Sequence, residues 1–573
     1  MSIFFVLILI VHLLCVNGLP KNASSTCRCM PEDSCWPSND AWTKLNSTVS
    51  GKLIATVPLG SPCHDPGYDE EACNILQETW PRVETNFPSP YSVFAPLFQG
   101  NSCLPYTPRD SSCTIGKNAR FAINVSTPAD IASGLAFAQE HNLRTVIKNT
   151  GHDLLGKSAG AGALGIWTYN LKNLDFLDYT AEYYVGPAVK LGAGIEGWEL
   201  VQAAAAQGLK VLSGSCTGVG VAGGYSQGGG HSLLSSQYGL AADNVLEWEV
   251  VTGDGQHVTA SPTQNSDLYW ALSGGGGSTY GVVFSVTMKA WPDGPVAGAT
   301  LTLTPTNATT DDEIWAAVKS YHTHFNSWME AGATSAHLAG YRSFELFVLT
   351  WADHTKDDVR NLLSGWQSDL DAMGMPYNLT LTLFPTWLEH YANYFGPLPY
   401  GFPWLSKVQG GRLVPKTTLT GNLDELISAL RNITQDGVFQ VLGNGMDVSN
   451  TSRAVADNAV LPAWRRSAYS MIAFANWDFN SSWSENVALE DRITNSIDPL
   501  LRSVMPDSGS YLNEANPYQM TWKEDFYGAN YDRLRSVKTT WDPYGLFYAR
   551  TAVASDEWIE SPDGRLCRTA VPS

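Results

Sequence analysis

Residues 146–168 read VIKNTGHDLLGKSAGAGALGIWT. A strand-like run ending at Lys148 leads directly into a loop of small residues that holds His152 between Gly151 and Asp153. A plain turn would need no imidazole there. Upstream, STPADIASGLAFAQEHN offers Thr127 as an N-cap, Pro128 at the first helical position and Asp130 to complete a capping box. Helix, strand and glycine loop therefore form one unit. The layout recurs: GIEGWELVQAAAAQG predicts a helix stopped by Gly208, LKVLSGS a strand, and SGSCTGVGVAGGYSQGGGHS a second loop. NVLEWEVVTGDGQHVTA predicts a hairpin turning at Asp254-Gly255. A third loop, ALSGGGGSTYG, precedes the strand GVVFSVTMKAW.

Glycines in such loops permit positive φ and bring backbone N–H groups close to an anion. Three of them in one αβ region can hold a diphosphate with few basic residues, and Lys148 and Lys157 are the nearby cations. GVGVAG matches G-x-G-x-x-G at Gly218, Gly220 and Gly223, but no helix opens after it, so a nicotinamide-type Rossmann loop fails its context. Gly274–Gly277 lacks the following Lys-Ser/Thr of a nucleoside-triphosphate loop.

The composition narrows the class. A chain of 573 residues predicts two or three domains. MSIFFVLILIVHLLCVNGLP reads as a signal peptide over residues 1–18, shorter than a membrane span and ending in small residues. Sequons at Asn22, Asn46, Asn124, Asn307, Asn378, Asn432, Asn450 and Asn480 fit a glycosylated, secreted product with no membrane anchor. The formal charge of −20 argues against nucleic acid. Without Cys15, nine cysteines remain; Cys27, Cys29, Cys35, Cys63, Cys73, Cys103, Cys113 and Cys567 supply up to four disulfides of open connectivity, leaving Cys216 as the odd one. Residues 19–116 form a Cys-rich, loop-heavy lead-in. Beyond residue 296, TLTLTPT and SFELFVLTW alternate like half-buried strands, whereas DDEIWAAVKSYHTHFNSWMEA and LDELISALRNI have helical spacing.

KNTGHDLLGKSAG, the Cys216 loop, DLYWALSGGGGSTYGVV and GANYDRLRSVKTTWDPYGLFY, in this order and spacing, resemble the FAD-linked oxidases of the berberine bridge enzyme-like group. That group lies within the vanillyl-alcohol oxidase superfamily, and the resemblance is nearest to its fungal members, including secreted alcohol oxidases of the isoamyl alcohol oxidase type. It implies an α+β fold: a PCMH-type FAD-binding domain at 117–295, a substrate domain with a helix-covered antiparallel sheet at 296–505, and a C-terminal segment, 506–573, returning to the FAD domain. It further implies FAD bound covalently through His152. A second bond from Cys216 stays open: the family context is Cys-Pro-Thr-Val-Gly, this chain has Cys-Thr-Gly-Val-Gly, and VAGGY carries one residue more than the commonest spacing.

Around the flavin the resemblance places Lys148, Thr150, Gly151, Asp153, Gly156, Ser158, Gly220, Gly223, Gly224 and Gly228, with Asn530 and Tyr531 as a further contacting pair. YLNEANPY is similar to the family's Tyr-x-Asn segment. Tyr511 is an acid/base candidate or a packed tyrosine, Asn513 an orienting partner, and Glu514 a substitute for the acid that relatives often carry where Asn516 stands. Trp464 and Arg465 either border the pocket or pack, and His231 reads as structural. No metal site is expected; His322 and His324, at i and i+2, do not share a helix face. The implied activity is oxidation of a small-molecule alcohol by a monomer, with O2 giving H2O2. Oxidative cyclisation, oligosaccharide oxidation and a non-catalytic glycoprotein are the rivals.

Overall fold

The helix–strand–loop units build two sheets that share one core in the computed structural model, which describes residues 27–401 and 405–569. The signal-peptide reading, Cys15 and the Asn22 sequon lie outside the described residues. The first sheet runs Leu53–Ala55, Phe121–Asn124, Leu164–Trp167, Thr145–Lys148, and its last three strands are parallel. Helix Pro128–Glu140 makes the crossover, opened by the Thr127/Asp130 capping box. The second sheet is antiparallel in the order Leu174–Ala181, Tyr184–Gly192, Val282–Lys289, Val245–Val251, His257–Ala260. Its last pair is the hairpin whose turn contains Gly255 at φ 83°.

A third, seven-stranded antiparallel sheet has the order Tyr377–Phe384, Val296–Leu303, Ser343–Ala352, Thr334–Gly340, Gln440–Gly445, Ser467–Asn476, Lys407–Pro415. Helices Asp311–Glu330, Lys356–Met373 and Leu423–Thr434 cover it, burying Tyr321, Phe325, Trp366 and Leu430 against Leu301, Leu346, Val441 and Met471. The fold is α+β, with helices gathered on an antiparallel sheet.

Two expectations need correction. LKVLSGS supplies only the two-residue strand Leu209–Lys210, paired with Trp291–Pro292. Past it the chain turns back, and the carbonyls of Thr217 and Val219 accept from the amides of Trp198 and Gly197 at the start of helix Gly197–Ala205. The Cys-rich lead-in is also more regular than its composition suggests. It holds helices Asn39–Thr48 and Glu70–Thr79, capped by Ser38 and Asp69, and its strand Leu53–Ala55 extends the first sheet. Four disulfides form, Cys27–Cys567, Cys29–Cys35, Cys63–Cys73 and Cys103–Cys113, and Cys216 is free.

The edge strand Lys407–Pro415 is covered by the returning C-terminal chain: Leu413 N donates to Gly509 O at 2.7 Å, and Gln409 Nε2 to Glu514 O at 2.9 Å. Exposed sheet edges invite foreign pairing, and this one is closed. Behind it, desolvation lifts the carboxyls of Asp498 to about 7 and Glu490 to about 8, with Asp498 also raising Glu490. Both are protonated in mild acid, whereas unfolded carboxyls ionise near ~4. Their contribution to stability is therefore complete below that value and disappears as pH rises through 7 to 8. The melting temperature is expected to fall between pH 6 and 9, and Asp498→Asn, which needs no proton, is expected to flatten that fall in a thermal-denaturation series.

Candidate active site

Four stretches far apart in sequence meet at one cleft of about 200 Å³. The first is the histidine loop: Asn149, Thr150, Gly151, His152, Asp153, Lys157 and Ser158 line the wall. Gly151 has φ 90°, and a Cβ there would lie 2.7 Å from Ser92 O, so the turn admits glycine alone. Asp153 fastens the loop by accepting from Leu155 N at 3.0 Å and from Ser158 N and Oγ at 2.7 Å each. The lead-in closes over it, with Phe94 N donating to Gly151 O at 2.8 Å and the rings of Phe87 and Phe94 near the imidazole.

The second stretch brings Cys216, Gly220, Gly223 and Gly224; the third brings Gly277, Ser278 and Gly281. Gly220 meets Asn149, whose Oδ1 would sit 2.3 Å from a Cβ. Residues Val221–Tyr225 form a wide turn kinked at Gly223, whose ψ of −146° is not helical. The fourth is Tyr511, Leu512, Asn513 and Glu514. Asn513 Nδ2 donates to Gly224 O at 2.7 Å and to the Tyr511 hydroxyl at 2.8 Å, tying this segment to the second loop.

Three buried polar atoms of cleft-lining residues have no hydrogen-bond partner: His152 Nε2, Asn149 Oδ1 and Lys157 Nζ. Native proteins leave few such groups unmet, and three on one cleft mark a site shaped for a polar ligand. Amides from glycine turns beside an ammonium and an imidazole suit an anionic dinucleotide.

Known proteins agree with that geometry. A family model described as an FAD binding domain matches residues 119–261, and one described as berberine and berberine like matches 510–554. The FAD-linked oxidoreductase patO of Aspergillus clavatus is 45% identical over 545 residues, covering 95% of both chains. The chain belongs to the berberine bridge enzyme-like FAD-linked oxidoreductases. The VAO-type flavoprotein oxidase VAO615 of Thermothelomyces thermophilus is 41% identical over 560 residues, covering 96% of both chains. The crystal structure of the VAO-type flavoprotein MtVAO615 from Myceliophthora thermophila superposes with a TM-score of 0.91 at 40% identity, covering 95% of this chain and 100% of that one.

In this FAD-linked oxidoreductase several nominated residues lie elsewhere than the resemblance implied. Lys148 does not line the cleft: side chains alternate along a strand, so Ile147 faces the cleft and Lys148 the opposite way. Its ammonium donates to the carbonyls of Asn86, Phe87 and Ser89. Asn530 and Tyr531 also miss the cleft. Asn530 Nδ2 is held by the carbonyls of Ala459 and Val460, and the Tyr531 hydroxyl by Asp556. Gly156 and Gly228 sit one layer back, against Phe98 and Asn513. Asn516 turns away to donate to Thr494 and Asp498. Trp464 packs against Tyr511, and Arg465 grips Asp243 through both terminal nitrogens.

The site is electrostatically uneven. Burial, reinforced by the Lys407 ammonium, lowers His152 to about 3, so its imidazole is neutral. Burial raises the Cys216 thiol and the Tyr511 phenol, keeping both protonated. Lys157 is lowered to about 8 by burial, partly opposed by Asp153. Lys157 was read from sequence only as a cation near the glycine loops, and Lys407 was not nominated, since a lone lysine in a strand carries no spacing signal. An unmatched buried ammonium costs several kcal/mol unless a ligand anion meets it. Lys157→Met is accordingly expected to raise the melting temperature of apoprotein from a riboflavin-limited host by ~2 °C. The same change is expected to weaken FAD uptake by about 10-fold or more, measured by fluorescence titration.

Proposed function

We propose that this FAD-linked oxidoreductase oxidises a small alcohol, with His152 tethering the cofactor and O2 as electron acceptor. The observation that carries the reading is the unpartnered, neutral imidazole of His152 facing the same cleft as the carboxylate of Glu514. FAD, when bound, would supply hydride acceptance and relay of the electrons to O2 as H2O2. The chain's own residues do the rest. The amides of the three glycine turns hold the phosphates, Lys157 adds a positive charge, and a neutral imidazole at His152 retains the nucleophilic lone pair that a covalent tether needs. Cys216 lines the same cleft, but burial holds its thiol protonated, which works against the thiolate that a second attachment would need.

A carbinol losing hydride must also lose its hydroxyl proton. Two carboxylates line the cleft, and Asp153 is saturated by its own loop, whereas Glu514 oxygens accept from no backbone amide. Glu514 is therefore assigned as the proton acceptor. Tyr511, held protonated by burial and accepting from Asn513, walls the pocket, and Asn513 orients that wall. Four disulfides and exposed sequons at Asn307, Asn378, Asn432, Asn450 and Asn480 support passage through the secretory route. Among the described residues no helix is long and apolar enough to cross a membrane.

A second reading rests on one relative, the bifunctional decalin synthase calF of Penicillium decumbens, 39% identical over 560 residues: the same scaffold closing rings in a secondary metabolite. Anaerobic mixing with benzyl, cinnamyl and isoamyl alcohols is expected to bleach the flavin with at least one, and admitted air to restore it with one H2O2 per aldehyde. Failure with all three, alongside turnover of a polyene without net oxidation, would favour cyclisation. His152→Ala is expected to release its flavin on acid precipitation, read as yellow supernatant, while the wild-type pellet stays yellow.

A further inference from the structure

Glu514 has one side-chain partner among the described residues. His231 Nε2 lies 3.2 Å from each carboxylate oxygen, a symmetric fork spanning 283 residues of chain. The imidazole is placed with care. It follows the Gly228-Gly229-Gly230 turn, in which Gly229 and Gly230 take φ 120° and 73°, and its carbonyl accepts the Tyr225 hydroxyl at 2.9 Å. The Tyr511 ring meets it edge-on at 5.4 Å, and Trp464 lies at 6.2 Å. His231 is 8% exposed and does not line the main cleft. Instead it borders a separate small cavity whose polar lining includes Ser215, Ser232 and Asn444. One edge of the ring thus serves the catalytic wall, and the rest borders polar surroundings.

We infer that His231 is the positioning residue of the reaction: its Nε2–H donates to both oxygens of Glu514 and holds that carboxylate aimed at the substrate hydroxyl. This rests on the assignment of Glu514 as proton acceptor. The bifurcated donation uses one lone pair on each oxygen and leaves the others for the cleft. The proton balance is simple. The hydroxyl O–H breaks, its proton bonds to a Glu514 oxygen, and the hydride leaves with its electron pair to the bound cofactor; His231 keeps its own proton throughout. Without the imidazole the carboxylate would lose the one side-chain donor it has among the described residues, leaving the Lys407 charge to draw it elsewhere. Ordinary structural packing would not need the fork, because a phenyl ring fills the same space against Tyr511 and Trp464.

The test uses holoenzyme and the alcohol, among benzyl, cinnamyl and isoamyl, that reduces wild-type flavin fastest under anaerobic conditions. Reduction rates are measured against pH for Glu514→Gln, His231→Phe, His231→Gln and the double variant Glu514→Gln/His231→Phe, each with flavin content and melting temperature checked. Expected are a loss of about 100-fold in Glu514→Gln and of about 30-fold in His231→Phe. His231→Gln, which keeps an N–H donor, is expected to recover most of the rate. The double variant is expected to be no slower than Glu514→Gln, since two residues acting as a unit do not add. If Glu514→Gln is slow while His231→Phe keeps the wild-type rate, or if the two losses multiply, the positioning role is overturned and the base assignment survives. If Glu514→Gln itself reduces at the wild-type rate, the base assignment falls, and the role of His231 with it. Should His231→Phe fail to fold, the comparison of His231→Gln with His231→Asn, whose shorter arm leaves the carboxylate out of reach, decides in its place.

Discussion

Close approach of backbone to backbone is the constraint on which the cleft depends. A Cβ at Gly277 would lie 3.3 Å from Gly224 Cα, and one at Gly220 would strike the Asn149 carboxamide. Side chains at those points would prise the turns apart. Their absence lets main-chain dipoles from separate sheets surround one volume, which is how a chain of formal charge −20 presents an attractive surface to an anion. Lysines complete the arrangement from within. Lys148 clamps the lead-in by three carbonyls, while Lys157 lines the cleft and the charge of Lys407 reaches His152. Net charge describes the exterior of this protein and misleads about its interior.

The third sheet reaches the flavin side through its edge. The strand Lys407–Pro415 carries Lys407 at one end, and the chain covering that strand carries Tyr511, Asn513 and Glu514. Because Gln409 holds the Glu514 carbonyl and Asn513 holds the Gly224 carbonyl, the Tyr511–Glu514 wall is stitched to the third sheet on one side and to the second glycine loop on the other. The C-terminal helix Tyr531–Trp541 then packs on helix Ser266–Leu272, with Arg533 stacked 3.8 Å over Trp270 and Lys538 donating to Thr279 O beside the third loop. Substrate binding and cofactor binding thus share a frame.

Much of this was legible from the chain because it is written in local chemistry. The capping box at Thr127, the Asp254-Gly255 turn and the alternating strands of the third sheet need only near neighbours, and each formed where the pattern put it. The histidine loop and the Tyr511–Glu514 segment were visible as motifs, and the structure brings both to one wall. What escaped depends on long-range packing. Strand alternation sends Lys148 away from the cleft, and carbonyls some seventy positions upstream capture Asn530. His231 carries no distinguishing neighbours in sequence; its relation to Glu514 exists only once the glycine turn has folded against the returning chain. LKVLSGS was read too long because the pull of the helix start at Gly197 is invisible in a strand pattern.

The bond between Cys27 and Cys567 spans 540 residues. It makes the described polypeptide nearly a covalent ring, with the two ends of the fold held together rather than free to fray. A nick in an outer loop, such as one made by a protease outside the cell, would open this ring to a single linear piece without releasing a fragment. The enzyme would keep its mass on a non-reducing gel and fall into two pieces only when a reductant is added.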